Sequence, residues 1–207
     1  FCQNLLNKKL NLNTKSILIG NLKDKSKYKK GNFILVKNPK FTFIQIINMF
    51  TIPTKNQIHS TAIINPKAKI GKNVSIGAYS VIEDCKIGNN TVIGSFCSIA
   101  KNSILKNNVK IGDLSCLGNE GMNFQTHKNK ILHFEHLSNL IIYDNVWIGT
   151  NTNINRGVLT PTKIMKNTCI GSKCEIGHNV KISENCTINS GSVIGGSSTI
   201  GKRTKIG

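Results

Sequence analysis

The sequence is poor in acidic residues. Its 207 residues hold 9 Asp and Glu against 28 Lys and Arg, a formal net charge of +19 at pH 7. A charge of this size ordinarily indicates nucleic acid or another polyanion as partner. Here nearly all the positive charges are lysines, with Arg156 and Arg203 the only arginines, and they alternate with asparagines along the whole chain. The net charge alone is therefore weak evidence for a polyanionic partner, and we expect no nucleic-acid partner.

Long apolar runs are also missing. No stretch approaches the length of a transmembrane segment, and no basic stretch followed by a short apolar one resembles a signal peptide. We therefore expect a soluble, cytoplasmic protein without a transmembrane segment. Because the chain begins with Phe1 and not with methionine, we also expect an N-terminal piece to precede it.

Paired cysteines are a third absence. The 7 cysteines include no Cys-x-x-Cys pair. Reduced thiols packed in a core are therefore a better interpretation than a metal site or disulfides, and we predict no metal site.

What the sequence does contain is an aliphatic residue at every sixth position, with a few interruptions. The column is Ile58, Ile64, Ile70, Ile76, Ile82, Ile87, Ile93, Ile99, Leu105, Ile111, Leu117, Ile142, Ile148, Ile154, Ile164, Ile170, Ile176, Ile182, Ile188, Ile194, Ile200 and Ile206. Small residues follow four positions later, among them Cys97, Cys174 and Cys186, and glycine often comes directly after the aliphatic residue. A period of six fits neither a helix nor an ordinary strand. It predicts short strands separated by turns and wound into a parallel solenoid.

This repeat resembles that of the hexapeptide-repeat acyltransferases, whose motif is [Ile/Leu/Val]-Gly-x-x-[small]-x. The resemblance covers residues 58–207 and implies a left-handed parallel β-helix of triangular section. We predict a mainly β protein with two domains. Residues 1–54 would be a small, partial α/β domain of the uridine-binding kind, and residues 55–207 the β-helix, with an extruded loop at 118–141.

His178 is the strongest candidate for a functional residue. Three hexapeptides make one coil, so a residue lies over the one eighteen positions before it, about 4.8 Å away. This places Gly196 over His178, Arg156 beneath it and Asn119 one coil further down. Both interruptions of the repeat thus open from the corner that holds His178. An exposed surface histidine would not explain that coincidence.

Four segments are similar to one particular family of these acyltransferases. These are ILVKNPKFTFIQIINMF at 34–50, GNEGMNFQT at 118–126, LIIYDNVWIGTNTNINRGVL at 140–159 and IGSKCEIGHNV at 170–180. They are similar to parts of the UDP-3-O-acylglucosamine N-acyltransferases of lipid A synthesis.

That family implies roles for individual residues. His178 would be the general base, because imidazole can take the proton released when a sugar amine attacks a thioester. Gly196 would offer its N–H to the oxyanion. Asn38 and Phe41 would bind and stack on the uracil. The remaining candidates for substrate contacts are Asn119, Phe124, His136, Arg156 and Asn179, with Arg156 holding either a phosphate or the loop.

The chain departs from the family at four positions near His178. Gly171 and Ser172 stand where Asp-Asn is usual, Glu175 replaces a glutamine, and Asn155 replaces the aspartate of the Asp-Arg-Gly motif. Residues 1–207 do not include a match to the family's C-terminal helices or to about half of its uridine domain.

We therefore predict an N-acyltransferase that moves an acyl group from acyl carrier protein or acyl-CoA to the amine of a nucleotide-linked amino sugar. The thioester is a co-substrate, and we expect no cofactor. The resemblance implies a homotrimer with a cleft between neighbouring β-helices. One alternative is a CoA-dependent transferase acting on a dideoxyamino sugar nucleotide for surface glycans. A non-catalytic scaffold or polyanion-binding solenoid is another. A γ-class carbonic anhydrase is disfavoured, because the chain has no His-x-x-x-x-His.

Overall fold

The computed structural model describes residues 17–21, 32–50 and 57–207. The chain divides into two compact units, Phe1–Thr54 and Lys55–Gly207.

The described part of the first unit holds two strands and a helix. Strands β1 (Ile17–Gly20) and β2 (Asn32–Leu35) pair in parallel, and helix α1 (Pro39–Phe50) follows. Asn38 is the N-cap of this helix, because its Oδ1 accepts the Phe41 N–H at 3.1 Å. Pro39 suits the first helical position, because proline has no N–H that would need an acceptor there. Within the described residues, no helix has both the length and the apolar character needed to cross a membrane.

The second unit is a left-handed parallel β-helix, as predicted. Its three faces are parallel sheets of seven short strands each. Sheet one contains β4 (Lys69–Ile70), β7 (Lys86–Ile87), β10 (Ile104–Leu105), β15 (Leu140–Ile142), β18 (Thr162–Ile164), β21 (Lys181–Ile182) and β24 (Thr199–Ile200). Sheet two contains β5 (Ser75–Ile76), β8 (Val92–Ile93), β11 (Lys110–Ile111), β16 (Trp147–Ile148), β19 (Cys169–Ile170), β22 (Thr187–Ile188) and β25 (Lys205–Ile206). Sheet three contains β3 (Ile63–Ile64), β6 (Val81–Ile82), β9 (Ser98–Ile99), β12 (Cys116–Asn119), β17 (Asn153–Asn155), β20 (Glu175–Ile176) and β23 (Val193–Ile194).

The aliphatic column fills the axis of the β-helix. Its middle members, such as Ile99, Ile148 and Ile176, are completely buried. The small column lies at the corners and also points inward, so Cys97 and Cys174 are buried free thiols as predicted. These thiols contact turn carbonyls of the next coil, for example Cys174 Sγ at 3.1 Å from the Asn189 oxygen. Hydrogen bonding therefore adds to small size in selecting Ser, Thr and Cys for this column.

Asparagines occupy the corners for a conformational reason. Most corner residues have φ near +60°, a region that asparagine tolerates better than other non-glycine residues. At the corner between sheets one and two, the asparagine side chains also bond from coil to coil at 3.1–3.2 Å. This asparagine ladder consists of Asn73, Asn90, Asn108, Asn145, Asn167 and Asn185.

Two insertions leave the β-helix at the corner between sheets three and one. The longer one, between β12 and β15, contains an antiparallel hairpin of β13 (Phe124–His127) and β14 (Lys130–His133). The shorter one lies between β17 and β18. His178 lies at the same corner, directly after β20.

Candidate active site

His178 lies directly under Gly196. A Cβ atom added to Gly196 would stand 2.7 Å from the Nε2 atom of His178 and 2.9 Å from its Cε1. The backbone of His178 is bonded to the residue after Gly196, since the Ser197 N–H donates to the His178 carbonyl at 2.7 Å. The imidazole is half-buried. Only glycine at position 196 keeps the approach to Nε2 open.

Asn179 determines which nitrogen of His178 carries the proton. Its Oδ1 accepts the Val158 N–H at 3.1 Å, and its Nδ2 donates to the Thr160 carbonyl at 2.6 Å. These two contacts fix the orientation of the amide, because one partner can only donate and the other can only accept. The Nδ1 atom of His178 lies 2.9 Å from this oxygen and must donate to it. The lone pair of the neutral imidazole is then on Nε2, the atom beneath Gly196.

Asn179 also fastens the shorter insertion. Besides the bonds to Val158 and Thr160, its backbone N–H donates to Thr162 Oγ1 at 2.8 Å. Its side-chain donors and its acceptor are thus all engaged within the protein. We predicted that Asn179 contacts the substrate, but its hydrogen bonds suit a positioning residue for His178.

His136 packs behind His178. The two rings meet edge to face with centroids 5.2 Å apart, and His136 is only 2% exposed. Its Nδ1 lies 2.9 Å from the Phe134 carbonyl and donates to it, so its lone pair is on a buried Nε2 that has no partner among the described residues. Burial lowers the pKa of His136, and the neighbouring His178 lowers it further.

Arg156 holds the long loop in place. Its Nη2 pairs with Glu120 Oε1, and its Nε donates to the His136 carbonyl at 2.8 Å. Its side chain is only 11% exposed, so of the two roles predicted for it, the contacts support the loop and not a phosphate. The stacking beneath Arg156 is shifted by a bulge. Asn119 is in register with Asn155, and its carbonyl accepts the Arg156 N–H at 2.9 Å, as in the other parallel strand pairs.

The loop brings three further groups together at its base. Ligand atoms of Glu120, His133 and His136 lie within 4.8 Å of one another, as a metal site would require. Glu120 is already neutralised by Arg156, so we assign this cluster to holding the loop. Phe124 is half-exposed and packs on His133 with centroids 5.1 Å apart.

Gly196 also offers a hydrogen-bond donor. No bond from its N–H appears among the described residues. Many other corner N–H groups are capped by a side chain of the next coil, as the Ser95 N–H is by Asp113 at 2.8 Å. The open N–H of Gly196 lies beside the His178 ring, where an oxyanion could accept it.

In the first unit, the structure gives Asn38 a helix-capping role and leaves Phe41 59% exposed. Asn38 Oδ1 is engaged by the Phe41 N–H, while the aromatic ring of Phe41 is accessible for stacking. The period-six pattern gave no indication of the cap.

The comparisons with known proteins agree with this fold. The family described as bacterial transferase hexapeptide (six repeats) matches residues 84–119. UDP-3-O-acylglucosamine N-acyltransferase 1 of Francisella tularensis is 31% identical over 166 residues, which are 69% of this chain and 48% of that protein. The enzyme of the same name from Acinetobacter baylyi is 34% identical over 153 residues, which are 64% of this chain and 43% of that protein.

Solved structures give the same picture. LpxA, a UDP-N-acetylglucosamine acyltransferase from Bacteroides fragilis, is 28% identical with a TM-score of 0.60, over 69% of this chain and 55% of that one. The chain spans about half the length of the curated relatives it matches. The resemblance found in the sequence is confirmed: the chain is related to the UDP-3-O-acylglucosamine N-acyltransferases and shares the hexapeptide repeat of the bacterial transferases.

Proposed function

We propose that the protein is an N-acyltransferase that moves an acyl group from a thioester to the amine of a nucleotide-linked amino sugar. The observation that carries this proposal is the arrangement of His178. Asn179 fixes its Nδ1–H, so that the lone pair on Nε2 lies beneath the free N–H of Gly196. A base and an oxyanion donor side by side are what acyl transfer from a thioester requires.

In the proposed reaction the sugar amine attacks the thioester carbonyl, and a C–N bond forms. His178 Nε2 takes the proton that the nitrogen loses, while the Gly196 N–H stabilises the negative charge on the former carbonyl oxygen. The C–S bond then breaks, and the imidazolium returns the proton to the departing sulfur. The products are an amide and a free thiol. The His178 side chain carries out both proton transfers, and no cofactor takes part.

The names of the relatives suggest the class of acceptor, since UDP-linked glucosamine derivatives recur among them. The exposed Phe41 suits stacking on the base of such a nucleotide. The donor is acyl carrier protein or acyl-CoA. Both are polyanionic, so a chain of net charge +19 would meet either one rapidly. Both donors are cytoplasmic, and we propose that the reaction takes place there.

We also propose that the protein acts as a homotrimer. An exposed apolar column follows one corner of the β-helix through Tyr79, Phe96 and Leu114, and the first two rings stack at 5.2 Å. All three have φ near +60°. This backbone conformation is common for glycine and asparagine but unfavourable for large apolar residues. Apolar surface kept under such strain suits contact with another copy of the chain. A monomeric mass by light scattering at micromolar concentration would refute the trimer.

The reaction can be tested by a substrate screen. Nucleotide amino sugars are combined with hydroxyacyl carrier protein and with short-chain acyl-CoA, thiol release is followed, and the product is identified by mass. An N-acylated sugar nucleotide is the expected product, and its mass separates glucosamine from dideoxyamino sugar acceptors.

His178→Ala should lower kcat by about 10²–10⁴, the usual cost of losing a general base. His127→Ala, which changes an exposed histidine of the hairpin, is the matched control and should keep its activity. A His178→Ala protein that keeps near-normal turnover would refute the mechanism. The absence of thiol release with every substrate pair would favour a non-catalytic scaffold.

A further inference from the structure

The cluster at the base of the long loop has a set of side chains that suits a metal ion. One ligand atom each of Glu120, His133 and His136 lies within 4.8 Å of the other two. Two imidazoles and one carboxylate are a common ligand set for Zn²⁺. We predicted no metal site from the spacing of the cysteines, but these three residues meet only through the course of the loop.

Hydrogen bonds leave one lone pair free on each imidazole of the cluster. His136 donates from Nδ1 to the Phe134 carbonyl at 2.9 Å. The Nε2 atom of His133 lies 3.4 Å from the Gly121 carbonyl, which can only accept, so this nitrogen donates as well. The free lone pairs are therefore on Nε2 of His136 and Nδ1 of His133. Metal-binding histidines are usually oriented in this way, with the second nitrogen donating to a carbonyl or a carboxylate.

The Nε2 atom of His136 gives the strongest indication of a ligand. His136 is only 2% exposed, and its Nε2 has no hydrogen-bond partner among the described residues. A buried acceptor without a partner is unfavourable, and a bound ion or water is the common explanation for one. A water molecule has two protons and could satisfy only two of the three residues of the cluster, whereas a cation attracts all three.

Arg156 and a cation can share the carboxylate of Glu120. Arg156 Nη2 pairs with Oε1, while Oε2 lies 3.8 Å from the Nδ1 atom of His133. An ionised carboxylate accepts at both oxygens, and carboxylates that bind metals are commonly hydrogen-bonded to a further group. Glu135 Oε1 lies 3.9 Å from the same nitrogen of His133 and adds a second negative charge. The two carboxylates together outweigh the charge of Arg156.

Binding requires a movement of the exposed residues. The ligand atoms of a tetrahedral zinc ion lie about 3.3 Å apart, so the cluster must contract by at most roughly 1.5 Å. The rings of His133 and His136 are stacked at 18°, and a shared ion requires their planes to meet. Because His133 and Glu120 are exposed and belong to the loop, they can make both changes while the buried His136 stays in place.

From these observations we infer that Glu120, His133 and His136 bind one zinc ion, which fastens the long loop beside His178. The contact that Arg156 makes through Oε1 is kept, and the ion adds a second one through Oε2. Because the ring of His136 touches that of His178, the ion also fixes a neighbour of the proposed base. The site does not depend on the transfer reaction, so either proposal can fail without the other.

Zinc binding can be measured directly. The whole protein is freed of metal with a chelator, and ZnCl₂ is titrated into it by calorimetry. His133→Ala removes one ligand from the exposed hairpin and should weaken the tightest site at least tenfold. His127→Ala removes the other histidine of the hairpin and is the matched control, with unchanged affinity. Zinc should also raise the thermal unfolding midpoint of the control and not that of His133→Ala.

The cysteines need an arm of their own, because the exposed Cys169 could also bind zinc. Co²⁺ in place of Zn²⁺ separates the two sources, since a cobalt–thiolate bond absorbs strongly in the near ultraviolet and nitrogen and oxygen ligands do not. We expect the first equivalent of Co²⁺ to bind without this absorption. Thiolate absorption at the first equivalent would overturn the inference. Equal zinc affinity of His133→Ala and His127→Ala, or no zinc binding at all, would overturn it too.

Discussion

Asn155 donates a hydrogen bond to Glu175 across one coil of the β-helix, with Nδ2 3.1 Å from Oε1. Asn153 donates to the same oxygen at 2.7 Å. Asn155 is buried and Glu175 is half-buried. In the resembling family position 155 is an aspartate and position 175 a glutamine. The departures at positions 155 and 175 are therefore coupled. The carboxylate has moved from position 155 to position 175 and the carboxamide from 175 to 155, so a hydrogen bond between the two side chains is kept.

This exchange predicts a strong coupling between the two positions. Asn155→Asp alone would set two carboxylates against each other in a half-buried place and should lower the thermal unfolding midpoint clearly. Adding Glu175→Gln should restore it, since the amide can then donate to the aspartate. We expect a coupling of about 1–3 kcal/mol in a double-mutant cycle.

The single variant Glu175→Gln serves as the control, and its cost should be small because its oxygen can still accept both bonds. If the double variant were as unstable as Asn155→Asp alone, the two positions would not be coupled and the exchange would be a coincidence.

The two glycines above His178 should respond differently to alanine. A Cβ at Gly196 would stand 2.7 Å from the Nε2 atom of His178, whereas a Cβ at Gly195 would meet no atom within 4 Å. Gly196→Ala should therefore lower kcat at least tenfold, and Gly195→Ala should leave it nearly unchanged. Both proteins should unfold at similar temperatures. Equal activity of the two variants would show that access to Nε2 is not limiting.

Asn179 should control the tautomer of His178. Asn179→Ala removes the acceptor for Nδ1–H, so we expect kcat to fall by roughly 10- to 100-fold, as when a functional histidine loses its orienting partner. Long-range ¹H–¹⁵N spectra should show the proton on Nδ1 in the unchanged protein and a mixture of tautomers in the variant. A variant that lost activity while keeping the Nδ1–H signal would point to the loop contacts instead.

His136 should make the protein less stable in mild acid. Burial lowers its pKa below the ordinary 6.5, and the positive charge of His178 or His133 would lower it further, against the Phe134 carbonyl and Glu120. Near pH 6.5 the unfolded chain therefore binds a proton that the folded protein does not bind. Stability should fall as the pH drops below this value and level off once the folded imidazole is protonated as well.

The free energy of unfolding between about pH 7.5 and pH 5.5 measures this effect. His136→Gln should flatten the dependence, while His127→Gln in the exposed hairpin should not. The same slope in all three proteins would place the acid sensitivity elsewhere.

The regular part of the β-helix could be predicted from the sequence because the period fixes the stacking. The aliphatic column gave the three sheets, and counting eighteen residues gave the position of Gly196 over the ring of His178. Such counting works where each coil repeats the contacts of the one before it.

The loop and the corners could not be predicted in this way. The bulge that brings Asn119 into register with Asn155 breaks the count. The pairing of Arg156 with Glu120 and the burial of His136 depend on the course of an insertion that has no period. The asparagine ladder is visible in the sequence, because its members recur at the same position of the hexapeptide repeat. The recurrence alone does not reveal the left-handed backbone that selects asparagine there.

The regular stacking also has a consequence for how the β-helix forms during synthesis. Ile176 pairs with Ile194 and Ile182 with Ile200, so each strand finds its partner one coil later in the sequence. The rim of a finished coil presents the backbone groups on which the next coil is laid, and no segment has to wait for a distant one. A nascent chain leaving the ribosome can therefore add its coils in the order in which they are translated.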